Sequence, residues 1–559
     1  MKAKLKIALL CGAGLLTGLA HAQDVEQIAR AKPVTLGGAL SVGSQFYDVS
    51  GITPRSASPM WGVSGNASLN FYGVLDVPVS FTVGRQGRNA SYPNFQQFGL
   101  SPRYRWLTVH GGWRAMHFSN YTLSGHSFLG GGVEMTPGKF RFAAMAGRLR
   151  KARDYNSETD LQNFPAVFRR TGYAVKIGLG TERTFFDLIY FRAKDDPNSI
   201  AALTPDSTTT PGENMVFGFN SRFALTNRIS FVSEGAASVF TRNLNSLPPS
   251  DSIQNEHPEA FSIFKPLAST RANYAAKAGL ELAFQKFQMR VGYERIMPQF
   301  ETMGTYFFAN DLENFTISPT LMLAGGRWRV FGTAGLQRNN LLDNRSETTK
   351  RFIGNGGVSY FSGKAFGFDA NYMNMNIDQQ NLRFTDSIRV ALVTTNYGLT
   401  PRWTWSDTAR VRALVASVNY QKLNDKNPFT REFTNLDTWF ATTSYSLNFV
   451  RSGWGFSGGL NFNRIILALL TTNRYGLTLG ATKSRPDGKW QLGWSGAFNL
   501  SDIDGKSDGS VISTNANVAY SPARRHQFSL FVNVLRNNSR QFDDYTEVMG
   551  GVNYRVSLR

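Results

Sequence analysis

Alternation of apolar and polar residues with a period of two runs through most of the chain. Residues 63–71 place apolar or small side chains on odd positions and serine or asparagine on even positions, and residues 287–294, 445–449 and 528–534 follow a similar pattern. Because a strand turns successive side chains to opposite faces, each segment predicts a strand with one apolar and one polar face. A long series of such strands fits a sheet that has lipid on one side and water on the other.

Tight turns separate these segments in pairs, and longer polar loops separate the pairs. Turn residues such as Pro, Gly, Asn and Asp predict tight turns at 74–77, 101–103, 136–139, 181–182, 226–227, 285–286, 325–326, 362–364, 400–402, 451–453, 486–488 and 521–522. Longer loops are predicted near 49–61, 115–126, 151–170, 195–213, 242–270, 300–311, 339–349, 379–387, 422–432, 501–509 and 537–543. Short periplasmic turns and longer extracellular loops are typical of membrane barrels, and the rhythm predicts about 26 strands, within a range of 22 to 28.

The last residues of the chain form one of the clearest alternating segments. Val552, Tyr554, Val556 and Leu558 share one face of the strand predicted there. An unpaired edge strand is a liability, so this strand is predicted to pair with the first one, which begins at Val34. In a membrane, closure is the only solution for β structure. The sequence therefore predicts an all-β protein, a closed antiparallel transmembrane β-barrel over 34–559. A soluble propeller or sandwich is the alternative, but these folds bury both faces of their inner strands, and no propeller repeat of about 40–50 residues is visible.

The N-terminal residues predict export. Lys2, Lys4 and Lys6 precede an apolar run, and Ala20-His21-Ala22 has the pattern of a cleavage site. We therefore expect a signal peptide over 1–22, a short periplasmic tail over 23–33, and a multi-pass barrel in the cell outer membrane. Cys11, the single cysteine, lies in the segment predicted to be removed, which excludes disulfide and thiol chemistry from the mature chain.

Charge and composition narrow the classes of partner. The formal net charge is +21, but the basic residues are dispersed along predicted strands, so no nucleic-acid partner is expected. No run of 18 apolar residues follows residue 22, so no membrane helix is predicted. The expected partners are outer-membrane lipid and, in addition, other outer-membrane or secretion-machine subunits.

Several cations fall on predicted polar faces and are candidates to line the barrel interior. They are Lys139, Arg141, Arg222, Arg290, Arg327, Arg329 and Arg555. An interior lined by arginine would favour anions. The alternative is that these side chains pair with interior acids such as Glu294.

The sequence offers little for catalysis or metal binding. His126-Ser127 is the most suggestive pair, but neighbours on a strand point to opposite faces and cannot form a nucleophile–base pair. No histidine cluster has metal-ligand spacing, and no hydrolase motif or phosphate-binding loop lies in a suitable context. We therefore predict no enzyme activity, no catalytic or metal residues and no cofactor.

Four stretches carry a resemblance to a known family: residues 97–107, 118–126, 137–142 and 147–149. They resemble a family of exported outer-membrane barrels of Bacteroidota. The resemblance covers a small part of the chain and implies a location and a fold, but it supplies no catalytic or ligand residues. The segment between the turns predicted at 101–103 and 136–139 includes Tyr121, Gly125 and His126. We hypothesise that this segment forms a constriction of the barrel interior or a docking surface.

These observations leave three classes of function. The leading prediction is a porin-like conduit or the barrel component of an export or assembly machine. The first alternative is a non-conducting structural or accessory subunit that acts through its loops and partners. The second, a barrel hydrolase, is disfavoured by the missing motifs. The loop predicted at 242–270 is a further candidate to fold inward or to meet a partner.

Overall fold

A computed structural model describes residues 32–56, 58–85, 97–154, 166–201, 209–248, 264–306, 309–381, 389–541 and 543–558. The predicted signal peptide over 1–22, most of the predicted tail over 23–33 and the centre of the loop predicted at 242–270 lie outside the described residues. The described residues form one antiparallel sheet of 27 strand segments. Among them, no helix is long and apolar enough to cross a membrane.

The strand segments follow the chain in order. They are β1 Val34–Ser50, β2 Met60–Phe71, β3 Leu75–Arg85, β4 Gln97–Leu100, β5 Arg103–Tyr104, β6 Leu107–Ala115, β7 Ser127–Met135, β8 Phe140–Arg150, β9 Arg170–Gly180, β10 Phe185–Asp195, β11 Glu213–Ala224, β12 Ile229–Thr241, β13 Thr270–Ala283 and β14 Phe287–Ile296. They continue as β15 Leu312–Leu323, β16 Trp328–Arg338, β17 Glu347–Phe361, β18 Phe366–Asn381, β19 Ala391–Ser406, β20 Arg410–Asp425, β21 Leu436–Phe449, β22 Trp454–Leu467, β23 Leu470–Ser484, β24 Trp490–Ile503, β25 Lys506–Ala523, β26 His526–Ser539 and β27 Tyr545–Leu558. A 3-10 turn at Ala324–Gly326 and a short helix at Arg431–Thr434 complete the elements.

The sheet closes on itself through its first and last strands. β1 pairs with β27 from Gly38 opposite Leu558 to Ser50 opposite Thr546. β4 and β5 both pair with β3 on one side and β6 on the other, so they are two pieces of one crossing. The molecule is therefore a closed antiparallel barrel of 26 crossings, which confirms the predicted fold class and strand number.

Most tight turns are predicted correctly, including the proline-containing ones at 136–139 and 486–488, but the turn predicted at 74–77 lies at 72–74. The predicted turns at 101–103, 400–402 and 521–522 are wrong, because the chain reverses instead at 105–106, 407–409 and 524–525. Pro401 and Pro522 lie inside strands, where the ladder is interrupted between Leu399 and Arg402 and between Tyr520 and Ala523. Proline has no N–H to donate, so a strand can carry it where a ladder bond is already missing.

At the opposite end of the barrel the connections are long as far as the one between β20 and β21, and those that follow it are short. The loop predicted at 501–509 is wrong, because β24 and β25 are joined by Asp504 and Gly505 alone. Both residues have positive φ, 49° and 75°, which is the conformation of a two-residue hairpin turn. β22 and β23 are also joined by two residues, 468–469, so these two hairpins have short connections at both ends.

Apolar and aromatic side chains cover the outer face of the barrel. Tyr372, Tyr397, Tyr420 and Trp439 follow one another on adjacent strands, with ring centroids 5.1, 6.3 and 4.4 Å apart. A second series lies near the short turns, where the ring centroids of Trp328 and Tyr360 are 4.5 Å apart, those of Phe366 and Trp403 5.3 Å, and those of Trp490 and Tyr520 4.2 Å. Two aromatic belts are typical of barrels that cross a membrane.

The inner face differs between the two halves of the barrel. From β18 to β25 it carries asparagine amides that lie next to glycines of the neighbouring strand. A Cβ added to Gly398 would lie 2.2 Å from Asn371 Oδ1, and one on Gly476 would lie 2.2 Å from Asn499 Oδ1. We call this surface the amide wall. From β8 to β14 the inner face instead carries charged residues and a buried apolar cluster.

Candidate functional site

The connection between β6 and β7 folds into the barrel. We call residues 116–126 the infolded segment. Met116, Phe118, Tyr121 and Leu123 of this segment are all at most 3% exposed. They belong to one apolar cluster with residues of the inner wall and of the connection after β14, namely Phe128, Ala143, Met145, Leu149, Ala174, Ile189, Phe191, Ala193, Val216, Ala236, Ala275, Ile296, Phe300 and Met303. The barrel thus has a hydrophobic core on its inner side, against β7 to β14.

Local hydrogen bonds shape the tip of the infolded segment. The hydroxyl oxygens of Ser119 and Thr122 are 2.8 Å apart, and the Thr122 N–H donates to the Ser119 carbonyl at 3.3 Å. The Phe118 N–H donates to the Leu123 carbonyl at 2.9 Å, which closes the turn. Gly125 has a φ of +66°, a conformation that glycine adopts at no steric cost. The short polar residues therefore make a compact turn that carries Phe118, Tyr121 and Leu123 into the barrel.

A second connection, residues 297–306 after β14, holds the infolded segment in place. The Ser124 N–H donates to the Gly304 carbonyl at 3.0 Å, and the Thr302 hydroxyl donates to the Thr122 carbonyl at 2.8 Å. Gly304 pairs with Leu123 in a parallel bridge. A Cβ at Gly304 would lie 2.1 Å from the Thr122 carbonyl oxygen, so the close approach requires glycine.

Two carboxylates of the barrel wall bind the tip of the infolded segment. Glu234 of β12 accepts hydrogen bonds from the Asn120 N–H and side-chain amide and from the Tyr121 N–H, and its Oε2 is 2.8 Å from Lys277 Nζ. Glu294 of β14 accepts a hydrogen bond from the Tyr121 hydroxyl. Burial, together with the bond to Glu294, raises the pKa of Tyr121 far above its ordinary value, so this phenol stays protonated.

His126 lies at the end of the infolded segment, next to β7. Its ring stacks on Tyr306 with centroids 4.1 Å apart, and its Nδ1–H donates to the Ser127 carbonyl at 2.9 Å. His126 is 5% exposed, and burial lowers its pKa, with a smaller contribution from Arg170 and Arg150. The neutral ring is therefore the form that the folded protein favours.

Three of the seven cations predicted to line the interior form ion pairs with acids. Arg141 binds Asp187 through two hydrogen bonds of 2.7 and 2.9 Å. Arg222 and Arg290 both bind Glu281, at 2.5 and 2.8 Å. Two carboxylates balance most of the charge of these three arginines, which favours the alternative stated for them, with Asp187 and Glu281 in place of Glu294.

The other four cations are distributed differently. Lys139 and Arg327 lie in the turns before β8 and before β16, so their predicted placement on strand faces is wrong. Glycines in those turns, Gly138 and Gly326, have positive φ and reverse the chain there. Arg329 lies on the inner face of β16, with its guanidinium 5.3 Å from the centre of the Phe331 ring. Arg555 borders a cavity between β1, β2, β3 and β6.

The sequence identified part of this arrangement. Tyr121, Gly125 and His126 belong to the infolded segment, but the wall residues Glu234 and Lys277 and the close approach at Gly304 were missed, although 300–311 was predicted as a loop. The signal for Glu234 and Lys277 is present, since charged residues on polar faces of adjacent strands stand opposite each other once the register is known. Among the described residues, no group of His, Cys, Asp and Glu could hold a metal ion.

Comparisons with known proteins find similar solved structures that are barrels of the bacterial outer membrane, all at low sequence identity. No protein-family model and no curated protein matches the chain. Similar solved structures include OccK8 (OprE) of Pseudomonas aeruginosa, at 11% identity over 70% of this chain and 98% of the other, with a TM-score of 0.31. The translocation pore of the P pilus usher PapC is also similar, at 10% identity over 94% of this chain and 99% of the other, with a TM-score of 0.36. A bacterial polysaccharide outer membrane secretin matches at 8% identity over 63% of this chain and 94% of the other, with a TM-score of 0.25. At these TM-scores the similarity says nothing about a solute or a partner of this chain.

Proposed function

We propose that this protein is a conduit of the outer membrane whose passage runs beside the infolded segment. The proposal is supported by the position of the infolded segment, which covers one side of the inner wall. The infolded segment packs against β7 to β14, whereas the amide wall has no such segment against it in the described part of the chain. Barrels of about 16–18 strands already enclose an aqueous channel, so a barrel of 26 crossings has room for both.

The infolded segment is the constriction in this proposal. It enters from the long-loop end and occupies one side of the interior, so it sets the width that remains. Its contacts with the wall are a mixture of buried apolar packing and hydrogen bonds to Glu234 and Glu294. The apolar packing stabilises the position of the infolded segment, and the hydrogen bonds fix its orientation.

Single-channel recording of the purified full-length protein in planar bilayers tests the conduit. We expect discrete steps of conductance, and larger steps for Glu234→Ala, which removes the carboxylate that holds Asn120 and Tyr121. Glu281→Ala is the matched control, because Glu281 is also an interior carboxylate but, among the described residues, binds Arg222 and Arg290 and not the infolded segment. Absence of conductance from both the native protein and Glu234→Ala would contradict the conduit and favour the non-conducting accessory subunit.

A further inference from the structure

A cavity of about 650 Å³ opens on the inner side of the barrel next to the strands that close it. β1, β2, β3, β6 and β27 contribute to its lining. Hydroxyl groups dominate the polar part of the wall, from Ser41, Ser64, Ser80, Thr82 and Ser101. Of the wall strands that the infolded segment contacts, β7 borders the cavity through Ser127.

Two guanidinium groups line this cavity, from Arg114 of β6 and Arg555 of β27. Among the ion pairs of the described residues, none includes Arg114 or Arg555, whereas Arg141, Arg222 and Arg290 each bind a carboxylate. The sequence of residues 86–96, which joins β3 to β4, contains no Asp or Glu that could neutralise them. The cavity therefore has a positive charge that the described wall does not balance.

The donors of Arg114 are only partly used by the protein. Its Nη1 donates to the Ser80 hydroxyl at 2.9 Å, but its Nε is buried and has no hydrogen-bond partner in the described structure. A guanidinium has five N–H donors in a planar fork that matches an oxyanion. The described residues accept a hydrogen bond from one of these donors, so the Arg114 guanidinium keeps donors for an acceptor from outside the chain.

The neighbouring residues hold Arg114 and supply further polar groups. A Cβ on Gly99 would lie 2.8 Å from Arg114 Nε, so the absence of a side chain at Gly99 gives the guanidinium its place against β4. His110 Nδ1 is 2.9 Å from the Ser101 hydroxyl, and its Nε2 lies 3.9 Å from Glu134 and has no hydrogen bond with the described residues. Glu134 belongs to β7 and is not part of the cavity lining.

We propose that Arg114 and Arg555, with the surrounding hydroxyls, bind the oxyanion of a small solute, a carboxylate or phosphate group. Charge-assisted hydrogen bonds from guanidinium are the strong ones, and serine and threonine hydroxyls complete the shell of such an anion. The site binds an anionic group transiently at the inner wall of the barrel. It does not depend on whether the barrel conducts, because the cavity faces the interior in either case.

Isothermal titration calorimetry of the full-length protein in neutral detergent tests the site. Inorganic phosphate and benzoate are titrated in separate experiments at low ionic strength, with chloride as the reference anion. We expect saturable binding of at least one oxyanion, at least about 10-fold weaker in Arg114→Gln and in Arg555→Gln. Arg329→Gln is the matched control, since Arg329 is an interior cation outside the cavity, and its affinity should be unchanged.

The outcomes distinguish phosphate from carboxylate ligands, and they test the anion site separately from the conduit. Saturation by phosphate alone assigns the site to phosphate groups, and saturation by benzoate alone assigns it to carboxylates. Equal loss in Arg329→Gln, or no saturable binding of either oxyanion by the native protein, overturns the site. Heat-modifiable migration on gels confirms that each variant forms the barrel. Binding by a protein that shows no conductance would remove the conduit and leave the site in place.

Discussion

The hydroxyl of Tyr121 donates a hydrogen bond to the carboxylate of Glu294, a residue 173 positions later in the chain. The Tyr121 ring lies edge-on to Phe300, with centroids 6.2 Å apart, and Lys277 Nζ lies 5.4 Å from the ring centre. One side chain of the infolded segment thus contacts β13, β14 and the connection that follows β14. We expect the position of the infolded segment to depend on this tyrosine.

Loss of the Tyr121 hydroxyl should loosen the infolded segment. In Tyr121→Phe the ring still packs, but Glu294 loses its donor, which costs about 1.5–3 kcal/mol for a bond to a charged group. We expect a cysteine introduced at Ser119, which is fully buried, to react with a maleimide about 10-fold faster or more in this background. Tyr445→Phe, a change on the outer face, is the control, and equal rates in the two backgrounds would contradict the role of Tyr121.

Gly304 should tolerate no side chain. Gly304→Ala places a Cβ 2.1 Å from the Thr122 carbonyl oxygen, so the connection after β14 and the infolded segment must move apart. We expect the same Ser119 probe to become accessible and the thermal unfolding temperature to fall. In Gly356→Ala the nearest atom lies 3.6 Å away, an ordinary contact, so that variant should behave as the native protein.

Acid should release the infolded segment through His126. Burial lowers the folded-state pKa of His126 below 6.5, so the unfolded chain binds the proton more tightly. The stabilisation is therefore complete above about pH 6.5 and is lost as pH falls through the folded-state pKa. We expect labelling of the Ser119 probe, normalised to an exposed cysteine at Ser452, to rise on acidification. His126→Gln should flatten this dependence, and an unchanged profile would show that His126 does not control docking.

The seam between β1 and β27 can be tested by a disulfide. Ser44 and Val552 are directly opposed in the ladder, at a separation within reach of a disulfide between paired strands. We expect Ser44→Cys with Val552→Cys to form an intramolecular disulfide on mild oxidation. Leu530 is opposed to Val552 on the next strand, so Ser44→Cys with Leu530→Cys spans two strands and should not form one. Crosslinking in the control but not in the test pair would contradict the register.

Most of the fold could be predicted from the sequence, because local sequence patterns specify the strands and turns of a barrel. Alternation with a period of two gives the strands and their lipid-facing side, and turn residues give most of the reversals. Two of the errors are at Pro401 and Pro522, where a missing ladder bond lets proline remain inside a strand. No local pattern reports such an interruption, since it depends on the partner strand.

The candidate site was predictable only as a place along the chain. The sequence by itself determined that the chain would form a barrel of about 26 strands and that residues around Tyr121, Gly125 and His126 would lie between two hairpins. Only the tertiary structure decided that residues 116–126 turn inward, that Glu234, Lys277 and Glu294 hold them, and that Arg114 and Arg555 share a cavity. The physical reason is that these groups meet across strands and across the closure of the barrel, and their pairing depends on interstrand register, which arises when the sheet assembles.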